Sequence, residues 1–273
     1  MPKTREVPES MKEFNRLFES VAYRHDYSRV FDDFLSFAIK GFSLCGDFAE
    51  LNAYGQRTYS EKERLAFGQM IYEWIRVMHR EIQGESSWYD ALGNYYEVLA
   101  GRGKKSALGQ FFTPGPVCDL IHALVSEKHV QQLVNEPCCG SGRFVVSFHA
   151  NNPGNYYLCQ DIDPICCKMT ALNMCTHGAV GLVLNQDALL MDGPRFAYLV
   201  NEQLSYTGCP GIRKVTPEEA VFFYNMWAKK SGCILKKQQV QERQQEALVG
   251  HESTAVPENS IKLEKVVQLT LFQ

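Results

Sequence analysis

The stretch with the most chemical potential is EPCCGSGRF, residues 136–144, which combines an acid, two adjacent cysteines and a Gly-Ser-Gly turn. Gly140 and Gly142 allow the backbone to approach a ligand closely. A phosphate-binding loop would continue with Gly-Lys-Ser/Thr, but here Arg143 follows the second glycine, and Glu136 would repel a phosphate. A dinucleotide-binding turn would have a third glycine, which is missing. The turn therefore favours a ligand that has cationic groups and no phosphate.

Two more carboxylates follow at the ends of strand-like segments. NYYLCQD ends in Asp161 and GLVLNQD ends in Asp187, just as HVQQLVNE ends in Glu136, and helical segments lie between them. This alternation predicts a doubly wound parallel sheet, in which ligands bind outside the carboxyl ends of the strands. S-adenosyl-L-methionine (AdoMet) fits three acids in that position, because it carries an ammonium and a sulfonium group. Asp161 would accept the ribose hydroxyls, and Asp187 would accept the adenine amino group.

Four segments resemble the adenine-specific (N6) DNA methyltransferases, in particular the modification subunits of type I restriction systems and their phage or mobile-element relatives. The segments are LGQFFTP (108–114), NEPCCGSGRF (135–144), QDIDPICCKMTALNMCTHG (160–178) and NQDAL (185–189). The resemblance runs from roughly residue 88 to 190. It implies a Rossmann-like AdoMet-dependent methyltransferase core that modifies adenine N6 in DNA. It also implies double-stranded DNA and a DNA-specificity subunit as partners, as in restriction-modification systems.

The resemblance also assigns cofactor-binding residues. In that family the first block lies against the methionine part of AdoMet, and the glycine block forms the main cofactor loop. The residues carried over are Phe112, Thr113, Glu136, Gly140, Gly142, Asp161 and Asp187. Thr113 and Asp163 each precede a proline, so both are also predicted to be helix N-caps.

The catalytic tetrapeptide of the family, Asn-Pro-Pro-aromatic, has no match in this chain. In the family its Asn and a proline carbonyl grip the target amino group, and its ring stacks on the flipped base. The corresponding strand end is FAYLVNEQLSY, in which Asn201 lacks both the prolines and the adjacent ring. Two alternatives follow: Asn201 acts with Tyr206 as the catalytic pair, or the chain is a catalytically degenerate, AdoMet-binding interaction protein. A small-molecule methyltransferase is a third alternative, which the GQFFTP block disfavours.

Bulk composition excludes several classes of protein. The net charge of −3 gives no global basic field, so DNA binding would have to come from local patches. There is no secretory leader and no long apolar run, which predicts a cytoplasmic protein without a membrane partner. The ten cysteines form no Cys-x-x-Cys pair, so we predict no metal site and expect free cysteines that pack as small hydrophobic residues.

The chain divides into four predicted parts: an N-terminal helical domain (1–105), the AdoMet-binding core (106–206), a C-terminal helical segment (207–249) and a flexible tail (250–273). A helix from residue 61 is predicted by the capping-box spacing of Ser60 and Glu63. Its apolar face would consist of Phe67, Ile71, Trp74, Met78 and Ile82.

The last residues form a separate motif. Gln268, Leu269, Thr270, Leu271 and Phe272 resemble the Gln-Leu-(Ser/Asp)-Leu-Phe pentapeptide by which bacterial polymerases and repair proteins dock on the replicative sliding clamp. A polar tract with the composition of a tether precedes them. The alternative is a terminal β-strand that pairs with a sheet edge, which the apolar alternation also allows.

We expect the full chain to bind the sliding clamp and a variant that lacks residues 268–273 to lose this binding. Burial of Leu271 and Phe272 contributes roughly 1.5–3 kcal/mol each. After subtraction of the entropy that is lost when the peptide becomes ordered, we expect an affinity on the order of micromolar, or about −8 kcal/mol. Surface plasmon resonance against the host's clamp measures the difference. A full chain without saturable binding would contradict the docking motif.

Overall fold

The computed structural model describes residues 7–43, 51, 53–83, 87–108, 112–125, 130–190 and 192–232. The predicted clamp-docking residues Gln268, Leu269, Leu271 and Phe272 lie outside the described residues, as does the predicted tail from residue 250. Within the described ranges, no helix is both long enough and apolar enough to cross a membrane.

The N-terminal part is helical, as predicted. After a short 3-10 turn (Glu9–Met11), the helices are α1 (Lys12–Ala22), α2 (Tyr27–Gly41), α3 (Glu61–Ile82) and α4 (Ala91–Leu108). The predicted capping box is confirmed, because Ser60 and Glu63 each bond to the other's backbone at the start of α3. Trp74 is fully buried, as expected of a core residue. The backbone of α4 continues helically through the domain boundary predicted at residue 105.

Aromatic packing holds the N-terminal helices together. Phe14 packs edge-to-face on both Phe34 and Tyr95, with ring centroids 5.2 and 4.9 Å apart. All three rings are fully buried. The Tyr95 hydroxyl donates a hydrogen bond of 2.8 Å to Oδ1 of Asn15, so its burial leaves no donor unsatisfied. These contacts join α4 to α1 and α2.

The rest of the described chain forms a five-stranded sheet with helices on its two faces. The strands are β1 (Leu133–Glu136), β2 (Tyr156–Asp161), β3 (Val180–Asn185), β4 (Phe196–Val200) and β5 (Ile212–Val215). The helices are α5 (Gly115–Val125), α6 (Arg143–Asn151), α7 (Pro164–His177), α8 (Leu204–Thr207) and α9, which covers residues 217–232.

Two apolar cores cover the two faces of the sheet. The larger core joins the N-terminal helices to α6, α7 and one face of the strands. The smaller core lies on the opposite face, where α9 packs against the sheet. There Trp227 stacks on Tyr156 with a centroid distance of 5.0 Å and an interplanar angle of 10°. The result is an α/β protein, as predicted.

The sheet is mixed, whereas the sequence predicted a parallel one. Strands β1, β2 and β3 pair in parallel, but β4 runs antiparallel to β3, and β5 runs antiparallel to β4. The strand order is β1-β2-β3-β4-β5. A tight return after Asp187, without an intervening helix, causes the reversal, because a parallel strand needs a longer crossover. Asn201 follows β4, so it lies beyond the amino-terminal end of β3.

Asn201 is enclosed by the chain's own backbone. Its side chain is buried, and Nδ2 lies 3.1, 3.2 and 3.0 Å from the carbonyl oxygens of Met174, Cys175 and Ala179. Its Oδ1 accepts a hydrogen bond of 3.0 Å from the amide of Gly211. With φ at 58°, it occupies the left-handed region, which Asn tolerates better than most residues. The side chain thus joins the end of α7 to the β4–β5 connection.

We expect Asn201→Ala to lower the free energy of unfolding by roughly 3 kcal/mol, because buried backbone groups lose their partners. Asn201→Gly is the matched control: it loses the same hydrogen bonds but accepts a positive φ, so it should be less destabilised by about 1 kcal/mol. Urea denaturation measures both values. An Asn201→Ala protein as stable as wild type would contradict this structural role.

Candidate functional site

Three carboxylates come together where β1, β2 and β3 end, at what we call the carboxyl edge of the sheet. Glu136 is the last residue of β1, Asp161 is the last residue of β2, and Asp187 follows β3 by two residues. All three act electrostatically on Cys138, and together with burial they raise the pKa of its thiol. The strands therefore deliver their acids to a common place, as their parallel pairing requires.

Glu136 is partly buried and short of hydrogen-bond donors. The pKa of its carboxyl is raised, chiefly by burial and further by the negative charge of Asp161. The amide of Cys138 lies 3.4 Å from Oε1, which lowers the pKa and offsets part of the shift. An ionised carboxylate in this position would gain from a cationic partner, which none of the described side chains supplies.

Asp161 holds the glycine turn (Gly140–Gly142) against the end of β2. Its Oδ2 accepts a hydrogen bond of 2.9 Å from the amide of Gly140, and Oδ1 accepts one of 2.9 Å from the amide of Asp163. Burial raises the pKa of Asp161, and these backbone donors partly counteract the effect. Because each carboxylate oxygen can accept more than one hydrogen bond, Asp161 retains capacity for a ligand hydroxyl.

The glycine turn has no room for side chains. Gly140 and Gly142 have φ angles of 55° and 82°, which other residues rarely adopt. A Cβ atom on Gly140 would lie 3.1 Å from the ring of Phe112, and one on Gly142 would lie 3.1 Å from Cα of Thr170. The turn is also fixed from below, because the Thr170 hydroxyl donates to the carbonyl of Gly140 at 2.9 Å. Within this close-packed turn, Ser141 and Gly142 are buried and Gly140 is partly exposed beside the carboxylates.

Phe112 forms one wall beside the glycine turn, and Thr113 contributes only its backbone to the described contacts. The ring of Phe112 stacks on Tyr96 of α4 at a centroid distance of 5.9 Å. The side chain of Thr113 is exposed, and its carbonyl accepts a hydrogen bond of 3.1 Å from Arg143. Phe112 therefore lies beside the predicted cofactor loop, as does the backbone of Thr113.

Asp187 is partly buried, like the other two acids. Its Oδ1 accepts hydrogen bonds of 2.9 and 3.1 Å from the amides of Leu189 and Leu190, which shapes the turn after β3. The two leucine side chains are largely exposed. The carboxylate of Asp187 thus shapes its own loop at the rim of the carboxyl edge.

The sequence reasoning missed a buried polar cluster directly beneath the glycine turn. Arg143, the first residue of α6, forms an ion pair of 3.0 Å with Asp90, and Ser141 donates to the same carboxylate at 2.5 Å. Asn173 of α7 donates to it from the other side at 2.7 Å. The sequence contains one indication of this role for Asp90: the residue precedes Ala-Leu-Gly at the start of a helix, which is a typical N-cap position.

The two predicted catalytic residues do not join the carboxylates. Since β4 is antiparallel to β3, Asn201 lies at the edge of the sheet opposite the carboxyl edge. Tyr206 lies on α8 with 88% of its surface exposed. Among the described residues, neither is therefore brought next to Glu136, Asp161 or the glycine turn. A catalytic role for the pair stays a prediction.

The cysteines follow the expected pattern in most places. Eight of them are described; these are free, and six of the eight are buried. Burial raises the pKa of Cys139 well above its ordinary value, so its thiol stays protonated and packs as an apolar group. Cys138 is exposed, contrary to the expectation that both members of the pair fill the core. The turn after β1 points it away from the helices that bury Cys139.

One family model matches the part of the chain that contains this site. Residues 87–200 match the family model described as N-6 DNA Methylase. Among solved structures, the chain is similar to the methyltransferase subunit of a type I restriction-modification system from Streptococcus thermophilus, at 23% identity and a TM-score of 0.35. That match covers 67% of this chain and 40% of the subunit, so the chain spans well under half of the subunit's length. The comparison with curated proteins found no match. The matched residues 87–200 include the glycine turn and all three carboxylates, so this part of the chain is similar to the N-6 DNA methylases.

Proposed function

We propose that this protein binds AdoMet at the carboxyl edge and methylates adenine N6 in DNA. The observation that carries the proposal is the pairing of two partly buried carboxylates, Glu136 and Asp161, with a close-packed glycine turn beside them. The match of residues 87–200 to the N-6 DNA methylase family model supports the reaction and the substrate. The chain would then act as an adenine-specific, site-specific DNA methyltransferase.

The charge of the site supports AdoMet over phosphorylated ligands. The pKa of Glu136 and that of Asp161 are both raised, so each carboxylate is held in a place that disfavours its negative charge. A phosphate would add repulsion there, whereas an ammonium or sulfonium group would relieve it. AdoMet supplies both cations, and when bound it supplies the electrophilic methyl group.

Each predicted cofactor residue has a place in this proposal. Glu136 and the glycine turn would hold the part of AdoMet that carries the positive charge. Asp161 would accept hydrogen bonds from the ribose hydroxyls, and Asp187 from the adenine amino group. Phe112 and the backbone of Thr113 would border the methionine part. The remaining acceptor capacity of Asp161 fits its role.

A second candidate function is AdoMet binding without methyl transfer, in a protein that acts through its partners. The location of Asn201 favours it, because that side chain is buried and its polar atoms bond to backbone groups at the opposite edge. A group that grips the target amino group has to lie near the bound methyl. Under the first candidate, that group comes from another part of the chain or from a partner.

Both candidate functions involve macromolecular partners. Double-stranded DNA is the substrate of the first. A DNA-specificity subunit would supply target recognition, and it would also offer surface to complete the carboxyl edge. The sliding clamp would place either kind of protein over newly made DNA through the predicted docking motif at the end of the chain.

We expect Glu136→Gln to stabilise the cofactor-free protein and to weaken its binding of AdoMet. Burial disfavours the ionised carboxylate, as its raised pKa indicates, and this lowers the stability of the folded protein. The isosteric amide of glutamine is neutral and avoids this cost. Calorimetry should show AdoMet binding weaker by roughly 10- to 150-fold, the loss expected for a hydrogen bond between charged groups.

The stability difference should also depend on pH. Because the pKa of Glu136 is raised in the folded state, its contribution to folding stability is fully present below the ordinary pKa of 4.5. This contribution is lost as the pH rises through the folded-state pKa. The Tm of wild type and variant should therefore converge at about pH 4 and separate towards neutral pH. Glu218→Gln is the control, because Glu218 is an exposed carboxylate in the first turn of α9 and should not affect AdoMet affinity. Unchanged AdoMet affinity in Glu136→Gln would contradict the assignment.

Transfer of a tritiated methyl group to mixed-sequence double-stranded DNA separates the two candidates. We expect incorporation as N6-methyladenine, identified by mass spectrometry, and its loss in Glu136→Gln. If Asn201 is catalytic, Asn201→Gly should also lose transfer while AdoMet affinity stays the same. A wild-type protein that binds AdoMet but transfers no label, with and without a specificity subunit, would establish the second candidate.

A further inference from the structure

A buried ion pair joins the N-terminal helices to the glycine turn. The side chains of Asp90 and Arg143 are only 1% and 8% exposed, and Nε of Arg143 lies 3.0 Å from Oδ2 of Asp90. Asp90 immediately precedes α4, whereas Arg143 immediately follows the glycine turn. The pair therefore connects two segments that are 53 residues apart in the chain.

Both oxygens of Asp90 are shared between elements. Oδ1 accepts from the amide of Gly93 at 2.8 Å, which caps α4, and from Nδ2 of Asn173 at 2.7 Å. Oδ2 accepts from the Ser141 hydroxyl at 2.5 Å in addition to Arg143. A side chain on Gly93 would overlap the Asp90 carboxylate, so the helix leaves room for this arrangement. One carboxylate thus fixes the start of α4, the glycine turn and α7 relative to each other.

The remaining nitrogens of Arg143 reach the other wall of the site. Nη1 donates to the carbonyl of Thr113 at 3.1 Å, and Nη2 donates to Oδ1 of Asn94 at 2.9 Å. Nη2 also lies 3.4 Å from a carboxylate oxygen of Glu97. The guanidinium lies 5.8 Å below the ring of Phe112. A single side chain therefore contacts both segments that the proposed AdoMet site uses.

Stability alone does not account for such a pair. Two charges lose their hydration on burial, so an ion pair of this kind often stabilises a fold no better than apolar residues of the same volume. The planar guanidinium of Arg143, in contrast, fixes the direction of every group to which it donates a hydrogen bond. What the cluster provides is a fixed geometry for the glycine turn and the segment around Thr113.

We propose that Arg143 and Asp90 are positioning residues, through which helix α4 sets the geometry of the AdoMet site. The proposal rests on the proposed function for its ligand, although the positioning itself can be measured without any ligand. It makes the N-terminal helices part of the cofactor site, where the sequence had placed a separate domain. The ion pair does not contact AdoMet; it acts through the glycine turn.

The test compares Arg143→Lys with Arg213→Lys in the full chain. Lysine at position 143 can still pair with Asp90, but it cannot also bond to Thr113 and Asn94. Arg213 is the matched control, because it too bridges two carboxylates, those of Glu202 and Glu219 at 2.9 and 2.7 Å. Hydrogen exchange of the cofactor-free protein reports on residues 139–142, and calorimetry measures AdoMet affinity at a temperature where both variants are folded.

We expect Arg143→Lys to speed exchange at residues 139–142 at least tenfold, to leave β3–β5 protected, and to weaken AdoMet binding at least tenfold. Arg213→Lys should change neither quantity, even if its Tm falls. If Arg143→Lys does not fold, Asn94→Ala removes one partner of the guanidinium and should shift both quantities in the same direction. Wild-type exchange in the turn of the variant would overturn the proposal. A wild-type protein that fails to bind AdoMet would overturn the proposed function, while the exchange result would still decide the positioning role.

Discussion

Parallel pairing of β1, β2 and β3 is the constraint on which the rest of the molecule depends. It brings Glu136, Asp161 and Asp187 to one edge of the sheet, although they are separated by two helical segments in the chain. The glycine turn has to follow β1 directly, because only there can the amide of Gly140 reach the carboxylate of Asp161. Helix α6 then begins at Arg143, so the same turn also fixes where the buried guanidinium enters the core.

The site concentrates negative charge where the fold disfavours it. Burial raises the pKa of Glu136 and of Asp161, and neither has a basic side chain among its described partners. The nearby Arg143 is directed away from them, towards Asp90 and α4. Its positive charge therefore stabilises the scaffold beneath the site and leaves the carboxylates for a ligand. Sites that bind a ligand commonly carry this kind of uncompensated charge, and the free protein is less stable as a result.

The antiparallel strands place Asn201 away from the three carboxylates. A tight return after Asp187 places β4 beside β3 in the opposite direction, and β5 continues the hairpin. Asn201 consequently hydrogen-bonds to backbone carbonyls at the end of α7. Within the described chain, the side chain of Asn201 and the three carboxylates thus lie at opposite edges of the sheet.

The sequence alone determined the local features: the capping box at Ser60, the acids at three strand ends, the glycine turn and the resemblance of roughly residues 88–190 to adenine-specific DNA methyltransferases. These depend on spacing along the chain, which periodicity and turn chemistry report directly. The tertiary structure alone decided the direction of β4, the place of Asn201 and the partnership of Asp90 with Arg143. Strand direction depends on which neighbour a segment pairs with, and the burial of an ion pair depends on contacts across 53 residues. Neither quantity leaves a periodic signal in the chain, because both arise only when distant segments share one core.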